Sequence, residues 1–240
     1  MIEARDERPH RAGTTSAWTE TWEFRLVVPD LTVAVAAAVT RRPAEGSASF
    51  YGMVCGRARP TVVVVDHDIA LPRWGLELRG TGIWADHVCE TPLVHWSLGL
   101  EAFGLALDGP DDLVITGRGL PTPLGWDLEW ETPDGPASTD PPGERGYVAA
   151  GYAHGEVLVG DQTIEVEGPG HRLHRWGTGL PLTPWWCAGA HAGIGAPPRK
   201  LEAEGRVRVA DHTRSMTDLS FGSLPSSDDS GRPGWVSGLG

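Results

Sequence analysis

The sequence predicts an all-β protein, a sandwich or barrel of short strands, and three observations carry that expectation. No stretch of helical period runs long enough to build a helix layer. Short apolar or alternating runs follow one another between turn signals. The 32 glycines and 20 prolines of the 240 residues are scattered as punctuation, with no fixed repeat. This length suits one large β-domain or two small ones.

The expected strands are Trp22–Val28, Thr32–Thr40, Ser49–Cys55, Thr61–Asp66, Leu76–Trp84, Leu93–Leu107 and Leu124–Thr132, then Gly146–His154, Glu156–Val159 and Gln162–Glu167. Trp185–Ala192, Leu201–Ala210 and Thr213–Phe221 complete the set. Leu93–Leu107 carries glycines that suggest a bend or bulge. Residues 1–16 are polar without apolar periodicity and are expected to be disordered. A first β-unit over 17–132, a loop over 133–145 (PDGPASTDPPGER within it), a second, shorter β-unit over 146–222 and a flexible tail over 223–240 follow.

Composition narrows the function classes. A net charge of −12 argues against nucleic acid, whose phosphates need clustered Lys and Arg, and against docking to an anionic membrane. Val33–Val39 is far too short to span a bilayer, and MIEARDERPHRAG has no apolar signal core. Cys55, Cys89 and Cys187 are too few and too scattered for a disulfide framework or a zinc site, so reduced thiols and a cytoplasmic location are expected. Eleven tryptophans against three tyrosines and four phenylalanines supply broad apolar faces, each with one N–H donor. They suit a core as well as a ligand wall.

Three segments concentrate titratable groups beside aromatics. In GWDLEWET (125–132) alternation puts Trp126, Leu128 and Trp130 on one face, with Asp127, Glu129 and Glu131 on the other. Either the acids face water, or Asp127 or Glu129 faces a cavity as a general acid. In WADHVCETPLVHWS (84–97), Trp84, His95 and Trp96 are candidate ligand contacts. In GHRLHRWG (170–177), Arg172, His174 and Trp176 share one side. Arg172 could hold a carboxylate or oxyanion, His174 could move a proton, and Trp176 could stack on a π-system or carbocation. The alternative is a structural turn in which Arg172 bridges a carboxylate from another strand. His171 and His174 diverge on a strand and no standard ligand spacing follows, so no metal is expected. Nucleotide-binding loops and the G-x-S-x-G elbow are missing.

WTETWEF (18–24), GIWADHVCETPLVHWSLGLEAFG (82–104), PLGWDLEWET (123–132), GEVLVGD (155–161) and the octapeptide together resemble the carotenoid 1,2-hydratase (hydroxyneurosporene synthase) superfamily, from about residue 18 to 195. In that family's G-x-R-D-H-S-W-G pattern Gly170, Arg172, His174, Trp176 and Gly177 match. Leu173 replaces the family's Asp and Arg175 its Ser. The resemblance implies two packed lipocalin-like β-units, the second short enough to be incomplete. It also implies isoprenoid or polyketide-like molecules handled without a redox cofactor.

Three functional readings result. One is a binder of an apolar isoprenoid, steroid or polyketide-like molecule in a Trp-lined cavity. The second is a cofactor-independent hydratase or cyclase with His174, Asp127 and Glu129 as catalytic residues. The third is a structural or interaction protein whose barrel is filled by its own side chains. Trp84, His95, Trp96, Trp126, Trp130, Arg172 and Trp176 are the expected ligand contacts. Leu173 favours binding over catalysis, because a catalytic histidine usually has a positioned partner.

Overall fold

The computed structural model describes residues 2–30, 32–56, 59–107, 119–133 and 144–178, with the backbone of a few short strands outside these. In chain order the strands are β1 (Trp18–Val27), β2 (Ala34–Arg42), β3 (Ser47–Gly56), β4 (Arg59–Ala70), β5 (Leu76–Gly80), β6 (Ile83–Thr91) and β7 (His95–Leu107). They continue as β8 (Leu120–Glu131), β9 (Ala137–Ser138), β10 (Glu144–Val159), β11 (Gln162–Thr178), β12 (Trp185–Ala188), β13 (Leu224–Ser227) and β14 (Pro233–Ser237). The all-β expectation holds. No helix among the described residues is long and apolar enough to cross a membrane.

Hairpins make most of the sheet, in the order β4-β3-β2-β1-β11-β10-β8-β7-β6-β5. Thr61–Val63 of β4 also pairs with Leu105–Leu107 of β7, so eight strands from β4 round to β7 close into a ring. A ring of about eight strands has an interior that side chains can fill or a small ligand can share. Strands on both sides of 133–145 belong to this one sheet: β10 and β11, expected in a second unit, complete the barrel with β1. A separate three-stranded sheet has the order β12-β14-β13. Most of the loop 133–145, most of the tail and the expected strands Leu201–Ala210 and Thr213–Phe221 lie outside the described residues.

Alternation decides which residues enter the barrel. Trp22, Phe24 and Leu26 of β1, Phe50 of β3, Trp96 and Leu98 of β7, and Trp126, Leu128 and Trp130 of β8 form the principal core. Trp130 fits because β11 approaches as Gly170, where a Cβ would stand 2.4 Å from the indole. The strands β1–β4 are buried on their other face too, where Val27, Ala34, Ala36, Ala38, Tyr51 and Met53 pack together. Burial on both faces explains why VAVAAAV reads as a continuous small-apolar run and not as an alternation.

Several boundaries differ from the sequence reading; the expected strand Gln162–Glu167, for one, runs on to Thr178 as β11. The run Leu76–Trp84 is a hairpin, β5–β6, turning at Thr81-Gly82 with Gly82 at φ 75°. Gly146–Val159 is one strand continuing through Gly155.

Residues 2–16 are also placed, contrary to the disorder their polarity suggested. They carry a 3-10 turn, Ala4–Glu7, with a capping box between Glu3 and Asp6. Polar partners inside the barrel mouth hold this segment, and a hydrophobicity pattern cannot register those.

Candidate functional site

The N-terminal segment lies across one mouth of the barrel, and two of its side chains reach inside. Glu7 is the first. Its carboxylate receives Arg172 Nη2 at 2.7 Å and Nη1 at 3.0 Å, and Trp96 Nε1 at 2.8 Å. Arg172 Nη1 also donates to Tyr147 Oη at 2.8 Å, and Nε to Thr132 Oγ1 at 3.3 Å. Both partners are buried, which is tolerable only because nearly every donor is matched. Burial disfavours the Arg172 cation, but Tyr147 and Glu7 more than offset this and its pKa is raised. Burial pushes the Tyr147 phenol far up, so it stays protonated.

His10 is the second. Its Nδ1 lies 2.7 Å from Glu20 Oε1, and the same oxygen lies 3.0 Å from His174 Nε2. Arg41 Nη1 donates to Glu20 Oε2 at 3.2 Å. Glu20 is fully buried, yet its pKa is lowered: desolvation opposes ionisation, and the bonds to His10 and His174 outweigh it. Burial holds the His174 pKa down despite Glu20, so its imidazole is biased toward the neutral form. Indoles fix both rings, with His174 stacked on Trp22 at 4.1 Å and His10 on Trp176 at 3.8 Å.

His10, Glu20 and His174 offer donor atoms within 4.8 Å of one another, a set that could hold a divalent cation. With Arg41 on the carboxylate and both imidazoles beside it, the group as built is a hydrogen-bonded carboxylate. Among the described residues it is the one cluster of this composition.

Between the N-terminal segment and the β5–β6 hairpin opens a cleft of about 950 Å³, reaching in to His87, Cys89 and Trp96. Its size falls within the range of small-molecule sites. Deeper in, aromatic side chains fill the barrel. His87 is buried at the inner end, edge-on to Phe24 and Phe50 at 5.6 and 5.9 Å. Neither of its ring nitrogens has a hydrogen-bond partner among the described residues. Burial pushes its pKa down to about 4. Trp126 Nε1, Trp130 Nε1 and His174 Nδ1 are likewise unmatched.

The family model for a domain of unknown function, DUF7064, matches residues 3–190. This chain is a DUF7064 protein. No curated protein matches it. Among solved structures it is similar to "Crystal structure of CghA with Sch210972", at 11% identity and a TM-score of 0.39, covering 71% of this chain and 49% of that one. "Crystal structure of CghA" matches at 12% identity and a TM-score of 0.38, with the same coverage. The chain thus spans about half the length of the solved structures it matches.

In this DUF7064 protein Arg172, His174, Trp176, Trp96, Trp126 and Trp130 all lie on the buried, inward face. Arg172, His174, Trp176 and Trp96 gather at the mouth. Asp127 and Glu129 do not join them. They sit on the outer face of β8, the first exposed and the second half-exposed, because the tryptophans between them take the interior. His95 is outside as well, hydrogen-bonded to Glu129. Trp84 is 38% exposed, and its Nε1 donates to Glu77 at 3.3 Å under the Arg79 guanidinium. These four residues are therefore removed from the interior site.

Glu7, His10, Glu20, Arg41, His87 and Tyr147 were missed. A signal existed for Glu20, since Trp18, Glu20, Trp22 and Phe24 alternate on one face of β1 and mark an acid among three aromatics. None existed for Glu7 or His10, which lie in a polar stretch.

Proposed function

We propose that this protein binds a small, largely apolar molecule in the cleft at the barrel mouth. One observation carries the reading: His87 is buried at the inner end of that cleft with both ring nitrogens unmatched. A buried polar group without a partner costs about 1–3 kcal/mol, and a ligand oxygen that pushed in to the ring would recover that cost for its N–H. Trp96, Leu76 and Val88 supply apolar wall, and Glu7, with Arg172 hydrogen-bonded behind it, supplies a polar anchor. The finer reading is an isoprenoid, steroid or polyketide-like ligand, which the resemblance of segments 82–104, 123–132 and 170–177 to the carotenoid hydratases supports.

Native mass spectrometry of freshly purified protein, followed by solvent extraction, tests this. An apolar adduct that His87→Phe loses is the expected result. No adduct, with no tryptophan fluorescence change across an isoprenoid and polyketide panel, would sink the reading and favour a self-filled barrel.

A second reading, cofactor-independent hydration or cyclisation, is favoured by the Glu20–His174 pair. The positioned acid that Leu173 does not supply comes from β1. His174 would then carry the proton and Glu20 would orient it, with the indoles of Trp22 and Trp176 facing developing positive charge. Turnover lost in His174→Gln, with ligand still bound, would support it. Retained turnover would refute it.

A further inference from the structure

We propose that Arg172 is the receptor for a ligand carboxylate, and that Glu7 occupies this receptor in cis until such a ligand displaces it. The inference rests on the ligand-binding reading above and names the ligand's head group.

The receptor belongs to the barrel. Arg172 on β11, Trp96 on β7 and Tyr147 on β10 converge on one carboxylate, and the first two donate to it directly. Arg172 lies 5.2 Å from the Tyr147 ring centre and 5.9 Å from that of Trp96, so two aromatic faces border the guanidinium. A planar fork answering a planar acid is the geometry by which arginine selects carboxylates. These three side chains are set by strand register and do not need the N-terminal segment to be placed.

Glu7 is differently held. It is the one buried residue of the Ala4–Glu7 turn, followed by exposed Arg8 and Pro9. Apart from Ile2, which packs beside Trp18, Tyr147 and Trp176, and the His10 ring stacked on Trp176, hydrogen bonds and ion pairs tie the segment to the barrel. Polar contacts exchange readily for equivalent ones.

Glu7 and Trp96 also line the 950 Å³ cleft. A ligand acid replacing Glu7 would therefore run its apolar body along Trp96, Val88 and Leu76. Charge dictates the class. A buried guanidinium cannot be left bare, so one carboxylate is exchanged for another. A neutral ligand has no such exchange to offer.

Farnesoic acid and farnesol, which share a hydrocarbon body and differ in the head, are suitable probes. Both are titrated by tryptophan fluorescence against the full-length wild type, Glu7→Gln and the double variant Glu7→Gln/Arg172→Gln. Glu7→Gln keeps the shape and removes the competing charge. The double variant removes both charges, so neither is stranded if folding is sensitive to the pair.

The expected result has three parts. Farnesoate binds the wild type at least tenfold more tightly than farnesol does. Glu7→Gln tightens farnesoate a further tenfold or so and moves farnesol less than twofold. In the double variant the two probes bind alike. A tenfold gain means that the Glu7 carboxylate holds the receptor shut about ten times better than the amide does, since apparent affinity scales with the open fraction. Equal binding of acid and alcohol to wild type and Glu7→Gln overturns the carboxylate receptor but leaves the ligand-binding reading standing. Acid selectivity that Glu7→Gln does not raise overturns the displacement. Binding of neither probe to any form overturns both readings.

Discussion

Replacing Glu7 by alanine should destabilise the protein far more than its place near the N-terminus suggests. The substitution strands Arg172, whose side chain is 2% exposed and whose charge Glu7 now answers with two bonds. Breaking a buried pair by removing one partner costs about 3–5 kcal/mol. Arg172 keeps Tyr147 Oη and Thr132 Oγ1, and the cleft lets water approach, so the lower end, about 3 kcal/mol, is expected. For a chain of this size each kcal/mol moves the melting midpoint by about 2–4 °C, so Tm should fall by roughly 6–12 °C. Differential scanning fluorimetry reads this directly, and urea unfolding supplies the free energy. Glu7→Gln/Arg172→Gln leaves no bare charge and should recover most of the loss. A Glu7→Ala midpoint within about 2 °C of wild type would refute the argument, since that is less than one kcal/mol on the same scale.

Other expectations can be checked with the same material. The unfolded chain takes up a proton at His87 near pH 6.5, whereas the native protein keeps it neutral to about pH 4. His87 therefore weakens the fold as pH falls through that window, by about 3 kcal/mol in all. The wild-type loss of stability between pH 7 and 4.5 should shrink correspondingly in His87→Phe, as urea midpoints at both values would reveal. Glu20→Gln removes the charge that draws His10 inward, so amide exchange of Arg8, His10 and Arg11 should speed up while that of β7 and β8 stays slow. Unchanged exchange would mean that Glu7 alone anchors the segment. Gly155 sits at φ 144°, where a Cβ would meet the Asp127 carbonyl oxygen at 2.1 Å. Gly155→Ala should cost at least about 2 kcal/mol by urea unfolding.

The legibility of the sequence divides along physical lines. Alternation is a local signal, and it placed Trp126 and Trp130 together, and Arg172, His174 and Trp176 together, on the faces they occupy. It could not say which face of β8 points inward, and Asp127 and Glu129 went to water because their tryptophan neighbours bury more apolar area. Trp84 shows the same limit: Ala85 and His87 took the interior side of β6. What no pattern reveals is a polar group satisfied at long range. Glu7 and His10 look like solvated residues until Arg172 and Glu20 are brought opposite them.

The distance along the chain between those partners has a consequence for how the protein is made. Glu7 and Arg172 are 165 residues apart, and β1 meets β11 with Trp22 opposite His174. The β1–β4 meander, the β5–β8 meander and the β10–β11 hairpin join neighbouring strands and can form as each is synthesised. The β1–β11 seam cannot. At about 5–20 residues per second, Glu7 leaves the ribosome roughly 8–33 s before Arg172 does. Pairings this remote in sequence also form slowly. A truncated or stalled chain would retain much of the sheet and none of the site, because the seam that closes the barrel is also the line along which Trp22 meets His174 and Phe24 meets Arg172.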